Sequence, residues 1–275
     1  MKGKKVLINT SKWVLIIVVL VITIFPIYWV IVSAFKLRVQ IFSIPPLWFF
    51  KPTFKNFIDV LVNRDVLGHV KNSAIIATSS TAICVIIGSF AGYSLARFKF
   101  HNSNFISFLL LFGRLIPPIA FVIPYFIILG KLGLFDTHLG IVLTHMGFNM
   151  PFAIFLLRSF FLGIPQELED AGLVDGCTPF TVFFRIVLPL AAPGIGTTII
   201  FVFLYSWNEF LYSFMFSQVR AVTLPVLAAS FVTPIGVLWG ELFAVSVITM
   251  FPTIFLGIIV RKYFVKGLSL GAVKG

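Results

Sequence analysis

Long apolar runs, separated by short polar or proline-rich stretches, make up most of the chain. Six of them cover residues 13–34, 73–96, 105–129, 139–161, 193–216 and 240–260. Each reaches the length of about 20 residues with which a helix crosses a hydrocarbon core of roughly 30 Å. The pattern predicts an all-α, polytopic membrane protein whose six transmembrane helices form a single domain over residues 1–275.

The composition excludes most soluble classes, because 59% of the residues are hydrophobic, 11% are charged and the mean hydropathy is +1.08. The net charge of +12 would suit nucleic acid if the cations formed one patch. They instead flank the apolar runs, as residues do that anchor loops at lipid headgroups. Membrane lipid is therefore expected around the chain, and nucleic acid is not expected as a partner. Cys84 and Cys177 lie far apart and indicate no disulfide framework.

The cations also predict the orientation of the chain. Twelve Lys and Arg residues fall on the side that holds both ends and the stretch 163–189, and eight fall on the other side. Because cytoplasmic loops carry the excess of cations, both termini and this stretch are predicted to be cytoplasmic. The first run has no small-residue cleavage pattern, so it is expected to be a retained span. Residues 54–61, in the long outer loop, have the pattern of one short surface helix.

Arg114 lies well inside an apolar run, and Pro117 and Pro118 follow it. The prolines predict a break in the third helix, because proline removes a backbone donor. A charge at membrane depth costs at least about 2.5 kcal/mol, so this side chain should face protein or water. Two interpretations stay open: a structural residue that snorkels or pairs with a carbonyl near the membrane face, or a residue that lines a polar path.

The fifth run contains two polar residues, Asn208 and Glu209. They either contact a hydroxyl-rich solute in the translocation path or join helices through hydrogen bonds, and the second role is the more common one in membrane helices. His145 is predicted to be an ordinary residue of the fourth helix. Gly88 and Gly92 have the GxxxG spacing that lets two helices pack closely.

The stretch between the fourth and fifth runs is acidic. It contains four of the nine acidic residues of the chain, Glu167, Glu169, Asp170 and Asp175. Acidic residues favour the first turn of a helix and glycine favours its end, so a short helix is predicted over 165–175, with Gly176 as its stop. Thr178 and Pro179 then start a second helix that runs to Pro189. So short a first helix is not stable alone, and two interpretations stay open: it is an ordinary loop packed on its own membrane domain, or it is held against another protein.

Within this stretch an Ile and a Leu-Pro pair follow an acidic residue and a glycine at defined intervals. The residues are Asp170, Ala171, Gly172, Gly176, Ile186, Leu188 and Pro189. Their order and spacing resemble the EAA motif of ABC importer permeases, E-A-A-x3-G-x9-I-x-L-P. Two positions depart from the motif: aspartate replaces glutamate at 170, and glycine replaces alanine at 172. The glycine weakens a helix by about 0.5–1 kcal/mol.

The segments FAIFLLRSFF, LPLAAPG and SWNEF and the tail 262–275 are similar to the shorter permease subunit of carbohydrate importers of the maltose and glycerol-phosphate type. The resemblance implies a multi-pass protein of the prokaryotic cytoplasmic (inner) membrane. It also implies a second permease subunit, a pair of cytoplasmic ATPase subunits that hold ATP and Mg, and an extracytoplasmic solute-binding protein. For the stretch 163–189, which we call the insert, the resemblance implies a short coupling helix that docks on an ATPase. The implied coupling residues are Glu167, Glu169, Asp170, Ala171, Gly172, Asp175, Gly176, Ile186, Leu188 and Pro189.

The chain has no GxxxxGK[ST] pattern, so it is not expected to hydrolyse ATP or to hold a cofactor. The predicted function is the permease subunit of an ATP-driven sugar importer working by alternating access, with a disaccharide such as trehalose or maltose expected before an oligosaccharide or polyol. The alternative is an ion-coupled secondary transporter or channel, with Arg114 and Glu209 in the ion path. The zinc-binding pattern HExxH is absent, and no catalytic or metal site is expected.

Overall fold

The computed structural model describes residues 2–98 and 103–271, so the last four residues of the 262–275 tail lie outside the described part. The described chain is mostly helical, with a 3-10 turn at Pro118–Phe121 and a π-helical turn at Phe183–Val187. The α-helices are α1 (Lys2–Ala34), α2 (Arg38–Ile41), α3 (Lys55–Asn63), α4 (Val66–Arg97), α5 (Ser103–Gly113), α6 (Val122–Leu132), α7 (His138–Leu162), α8 (Glu167–Val174), α9 (Pro179–Val182), α10 (Leu188–Leu190), α11 (Ala192–Trp207), α12 (Leu211–Phe216), α13 (Leu224–Ser230) and α14 (Trp239–Gly271).

Among the described residues, four helices are long and apolar enough to cross a membrane. They are Asn9–Ala34, Val66–Arg97, His138–Leu162 and Trp239–Ile259. Two further candidates are helix pairs bent at a break, Phe105–Gly113 with Pro118–Leu132 at 91° and Pro179–Leu190 with Ala192–Trp207 at 74°. Counting each pair as one span gives up to six spans, which agrees with the predicted polytopic class. The orientation of the termini and the single functional domain over 1–275 stay predictions.

The chain packs into two compact units, and the first comprises residues 1–67 and 227–251. It includes the antiparallel hairpin of β1 (Val232–Thr233) and β2 (Gly236–Val237). The predicted short helix at 54–61 is confirmed as α3. Its Asn56 amide donates to the carbonyls of Ala34 and Lys36, at 2.8 and 2.9 Å. These two bonds attach α3 to the end of α1.

Lys36 is a buried cation in the same unit, with 1% of its surface exposed. Its Nζ donates to the Leu47 carbonyl at 2.8 Å and lies 4.6 Å from the ring centre of Trp29 and 4.9 Å from that of Phe50. Burial lowers the pKa of this amine, and the two aromatic faces and the carbonyl offset part of the cost of burying the charge. The contacts hold the loop after α1 in place.

The second unit comprises the described residues of the ranges 68–226 and 252–271. In this unit α4 packs against α7, where Gly88 faces Ala153 and Leu157. A β-carbon at Gly92 would lie 2.9 Å from the backbone nitrogen of Arg158. The GxxxG prediction is confirmed, since the missing side chains let the two backbones approach closely.

The third predicted span is broken where the prolines predict it. Helix α5 ends at Gly113, and the backbone amide of Arg114 closes a last turn onto the Leu111 carbonyl at 3.1 Å. Pro117 and Pro118 then prevent the helical hydrogen-bond pattern from continuing, and α6 begins at Val122 in a different direction. Arg114 therefore lies at a helix break and not inside a regular helix.

The fifth predicted span, 193–216, is also broken, which the sequence analysis did not anticipate. Helix α11 ends at Trp207, and the Asn208 side chain donates back to the Leu204 carbonyl at 2.8 Å. The Glu209 carboxylate accepts from the backbone amides of Tyr212 and Ser213, at 2.8 and 3.0 Å, and so caps the new helix α12. Asn208 ends one helix and Glu209 starts the next.

Asp136, between α6 and α7, organises another connection. Its carboxylate accepts from four consecutive backbone amides, those of residues 218–221, at 2.8 to 3.1 Å. Burial acts to raise the pKa of this carboxyl, but the four amide donors together lower it below the ordinary value. The carboxylate thereby fixes the segment that follows α12.

Candidate functional site

The acidic insert forms the predicted helix, turn and second helix. Helix α8 ends near Gly176, whose φ of +84° is a left-handed conformation that glycine adopts without strain. The Thr178 hydroxyl then accepts from the amide of Thr181 at 3.3 Å and caps α9. The helical run then continues to Leu190 and contains the π-helical turn Phe183–Val187. This turn lies just before Pro189, which has no N–H to donate and so shifts the hydrogen bonding of the preceding residues.

Helix α8 has two faces. The outward face is exposed and carries both acidic and apolar side chains, and its members are Glu167, Leu168, Asp170, Ala171, Leu173, Val174 and Asp175. The inward face consists of Glu169, with 5% of its surface exposed, and Gly172, which is also buried. The predicted coupling residues are therefore divided between a surface open to a partner and a surface packed on the chain itself.

Glu169 is held by two side chains from the end of α4. Its Oε1 accepts from Arg97 Nε at 2.5 Å, and its Oε2 accepts from the Tyr93 hydroxyl at 2.7 Å. Arg97 also donates through Nη2 to the Ile164 carbonyl at 2.9 Å. We call Tyr93, Arg97 and Glu169 the clamp. Its burial excludes a direct contact between Glu169 and another protein, so any coupling role of this residue is internal.

The glycine that departs from the EAA motif has a packing reason. A β-carbon at Gly172 would lie 2.6 Å from Ile186 Cδ1 and 3.2 Å from Val182 Cγ2. Ile186 and Leu188 belong to the apolar cluster that joins the insert to α7, whereas Pro189 is exposed. Glycine at 172 lowers the helix propensity of α8, but it lets α8 pack more closely on the helical run from Pro179 to Leu190.

A second polar cluster lies where α4, α7, α11 and α12 meet, and His145, 1% exposed, is at its centre. Its Nδ1 lies 2.7 Å from the Ser206 hydroxyl, and its Nε2 lies 3.0 Å from Glu209 Oε2. Ser206 in turn contacts the Ser80 hydroxyl at 2.9 Å. If Nε2 carries the proton and donates to the carboxylate, Nδ1 accepts from Ser206. We call Ser80, His145, Ser206 and Glu209 the hub.

The hub corrects the interpretation of His145 as an ordinary helix residue. It favours the joining role for Glu209, since that carboxylate also accepts from the amides that start α12. Asn208, by contrast, is exposed, and its side-chain amide donates to the Leu204 carbonyl of its own helix. Among the described side chains, no group of three His, Cys, Asp or Glu residues is placed to hold a metal ion.

Arg114 is brought close to the same region. Its guanidinium carbon lies 4.3 Å from the ring centre of Tyr205 on α11 and 4.3 Å from that of Phe152 on α7. Tyr212 connects the hub to Arg114: its backbone amide donates to Glu209, and its side chain and Arg114 line the same cavity. The third and fifth predicted spans thus contribute their polar residues to one part of the second unit.

Comparison with known proteins assigns the family. The family of binding-protein-dependent transport system inner membrane components matches residues 84–270. The chain belongs to this family. The permease is 36% identical to the probable ABC transporter permease protein YurM of Bacillus subtilis, over 97% of this chain and 89% of that protein. It is 33% identical to the trehalose/maltose transport system permease protein MalG of Thermococcus litoralis, over 94% of each chain.

The fold of the permease also has a solved counterpart. A bacterial ABC transporter involved in the import of the acidic polysaccharide alginate contains a chain that matches with a TM-score of 0.76 and 20% identity, over 94% of the permease and 96% of that chain. An arabinooligosaccharides transport system permease protein, AraQ of Halalkalibacterium halodurans, is 33% identical over 92% of each chain. The relatives are ABC sugar transporter permeases, as the EAA resemblance implied.

The residues of the permease that hold the predicted site residues in place carry little signal in the sequence. Arg97 is one of several cations beside a span, and Tyr93 is one of many aromatic residues within a span. The ion pair of Arg97 with Glu169 could have been predicted, because the cation lies at a helix end on the side of the membrane where the acidic insert is also predicted. Asp136 has only a weak signal, an acidic residue in a short loop between two helices.

Proposed function

We propose that the permease is one of two membrane subunits of an ATP-driven importer, and that it helps to move a di- or oligosaccharide across the cytoplasmic membrane by alternating access. The observation that carries the proposal is the division of α8 into an exposed face and a buried, clamped face. A surface loop without a partner would gain nothing from exposed apolar residues such as Val174, of which 87% is exposed. A contact surface with a rigid support suits a helix that receives force from another protein.

The partners in this proposal are a pair of cytoplasmic ATPase subunits that bind ATP and Mg, a second permease subunit and an extracytoplasmic solute-binding protein. The ATPases meet the outward face of α8. Asp170 and Asp175 supply its charges, and Leu173 and Val174 supply its apolar contacts. The permease itself takes no part in hydrolysis, because the chain has no phosphate-binding GxxxxGK[ST] loop.

The proposed path of motion passes through packed contacts of the second unit. Displacement of α8 pulls on Arg97 and Tyr93 through Glu169. Helix α4 then moves together with α7, because Gly88 and Gly92 hold their backbones in close contact. Helix α7 carries His145, and the hub passes the displacement to α11 and α12. Well-packed interfaces transmit such shifts because they do not deform continuously.

The cargo class rests on the relatives. The names of similar proteins mention trehalose and maltose, diacetylchitobiose and arabinooligosaccharides. A sugar is the common element, and we propose a sugar as the cargo of the permease. Arg114, Asn208 and Glu209 are the proposed residues of the translocation path, with Glu209 supporting the path wall and Asn208 ending the helix beside it.

The experiment that tests the energy source is uptake by proteoliposomes that contain the purified complex and its solute-binding protein. We expect accumulation of labelled sugar only when ATP is present on the ATPase side, and none when a proton or sodium gradient replaces ATP. The control is the same complex with an ATPase subunit that cannot hydrolyse ATP. Uptake driven by an ion gradient in the absence of ATPase subunits would support the secondary transporter instead.

A further inference from the structure

A cavity of about 130 Å³ lies at the break between α5 and α6. Half of its lining residues are aromatic and one is a cation, and the wall includes Arg114, Phe121, Tyr125, Phe148, Pro151 and Tyr212. The volume is several times the roughly 30 Å³ that one water occupies in the liquid. The cavity therefore has room for a substituent or one edge of a sugar ring, but not for a whole disaccharide.

The local sequence builds the cavity. The prolines after Arg114 turn the chain by 91°, which leaves a gap between the end of α5 and the start of α6. On α7, a β-carbon at Gly147 would overlap the Tyr125 hydroxyl, so only glycine lets this tyrosine lie against the helix. Tyr125 packs edge-to-face on Tyr212, with ring centres 5.4 Å apart. The aromatic walls are thus fixed by packing.

The charge of Arg114 has no anionic partner among the described side chains. Its guanidinium lies against the rings of Phe148, Phe152 and Tyr205, at 4.3 to 5.0 Å from guanidinium carbon to ring centre. Nη1 is buried and has no hydrogen-bond acceptor in the described part of the chain. Aromatic faces stabilise a cation but accept hydrogen bonds only weakly, so Nη1 is left without an oxygen acceptor.

We propose that this cavity binds an anionic group of the carried solute, a carboxylate, sulfate or phosphate on a sugar. The proposal rests on the sugar-import function above and narrows it to acidic sugars, in preference to the neutral trehalose or maltose expected from the sequence. A guanidinium offers paired N–H donors that match two oxygens of one anion. Surrounding aromatic rings exclude water and strengthen the attraction, and they also provide faces for the C–H groups of a sugar ring.

The test compares D-glucuronate with D-glucose. The two sugars have the same ring, and they differ only at carbon 6, where glucuronate has a carboxylate and glucose has a hydroxymethyl group. Binding to the complete complex in phosphatidylcholine nanodiscs is measured without ATP by saturation-transfer NMR, which detects weak ligands. We expect glucuronate to bind roughly ten- to hundredfold more tightly than glucose, as for a hydrogen bond to a charged group. Arg114→Gln is expected to remove this preference, and Arg114→Lys to keep a smaller one. Arg64→Gln is the matched control, since Arg64 also lies over an aromatic ring, that of Phe231.

Three outcomes overturn the proposal: equal binding of the two sugars, an unchanged preference in Arg114→Gln, or loss of glucuronate binding when phosphatidylglycerol replaces part of the neutral lipid. The last outcome would assign the cavity to an anionic lipid headgroup. If the Arg114→Gln complex does not assemble, Arg114→Lys decides the question. This result can be told apart from failure of the proposed import function. A complex that takes up neutral sugar with ATP but does not bind glucuronate contradicts the acidic-sugar proposal and leaves the import function intact.

Discussion

The variant Glu169→Gln is expected to lower ATP-driven uptake by about tenfold or more while ATP hydrolysis by the complex continues, because breaking one partner of a buried ion pair leaves the other uncompensated. Glutamine has nearly the shape of glutamate but cannot accept a charge-assisted bond from Arg97 together with one from Tyr93. The ATPases would still move α8, but α4 would follow poorly. The measurement is the number of sugars taken up per ATP hydrolysed.

Two comparisons separate this effect from general damage. Glu241→Gln makes the same change in the first turn of α14, where the carboxylate has no ion-pair partner among the described side chains, and it should leave the uptake ratio unchanged. The double variant Glu169→Gln with Arg97→Gln should lose no more than Arg97→Gln alone, since both changes break one contact. Losses that add independently, or a normal uptake ratio in Glu169→Gln, would show that the clamp does not transmit motion.

The second large effect is expected at the hub. Glu209→Ala removes the acceptor for His145 Nε2, for the backbone amides of Tyr212 and Ser213 and for the Ser213 hydroxyl. Leaving four donors without this acceptor should cost on the order of 3 kcal/mol, even with the carboxylate partly open to solvent. We expect the thermal unfolding midpoint of the purified complex to fall by several degrees, and uptake to fall with it.

The matched control for the hub is Ser89→Ala. It removes one buried hydroxyl whose bond, to the Val85 carbonyl at 2.7 Å, stays within its own helix. Its expected cost is about 1 kcal/mol or less. Glu209→Gln should fall between the two, because it keeps one acceptor oxygen but loses the charge. A Glu209→Ala complex as stable as the Ser89→Ala complex would show that the hub does not hold α11 and α12 together.

The spans and the insert were predictable because they depend on local chemistry. Apolar runs of membrane length, prolines after Arg114 and glycine at 176 each act within a few residues of the chain. The fifth span is the exception, since its apolar composition hides the break at Asn208. The signal was present but not used: an Asn-Glu pair inside an apolar run consists of residues that favour helix ends.

The direction in which the charged residues of α8 point was not predictable from sequence. This helix has eight residues and polar groups on most sides, so periodicity does not identify its inner face. Glu169 faces inward because Arg97 and Tyr93 meet it there, and Arg97 is 72 residues away along the chain. His145 is a similar case, since its partners Ser206 and Glu209 are 61 and 64 residues distant. Such pairs become visible only when the helices are packed.

The central claim, that the outward face of α8 is the contact with an ATPase, is tested most directly by site-specific photo-crosslinking. Benzoylphenylalanine replaces Val174, 87% exposed on α8, or as a control Ile235, 98% exposed at the β1–β2 turn. In the intact complex we expect a covalent product with an ATPase subunit from position 174 and none from position 235. The absence of that product from position 174, in a complex that retains ATP-driven uptake, would contradict the account.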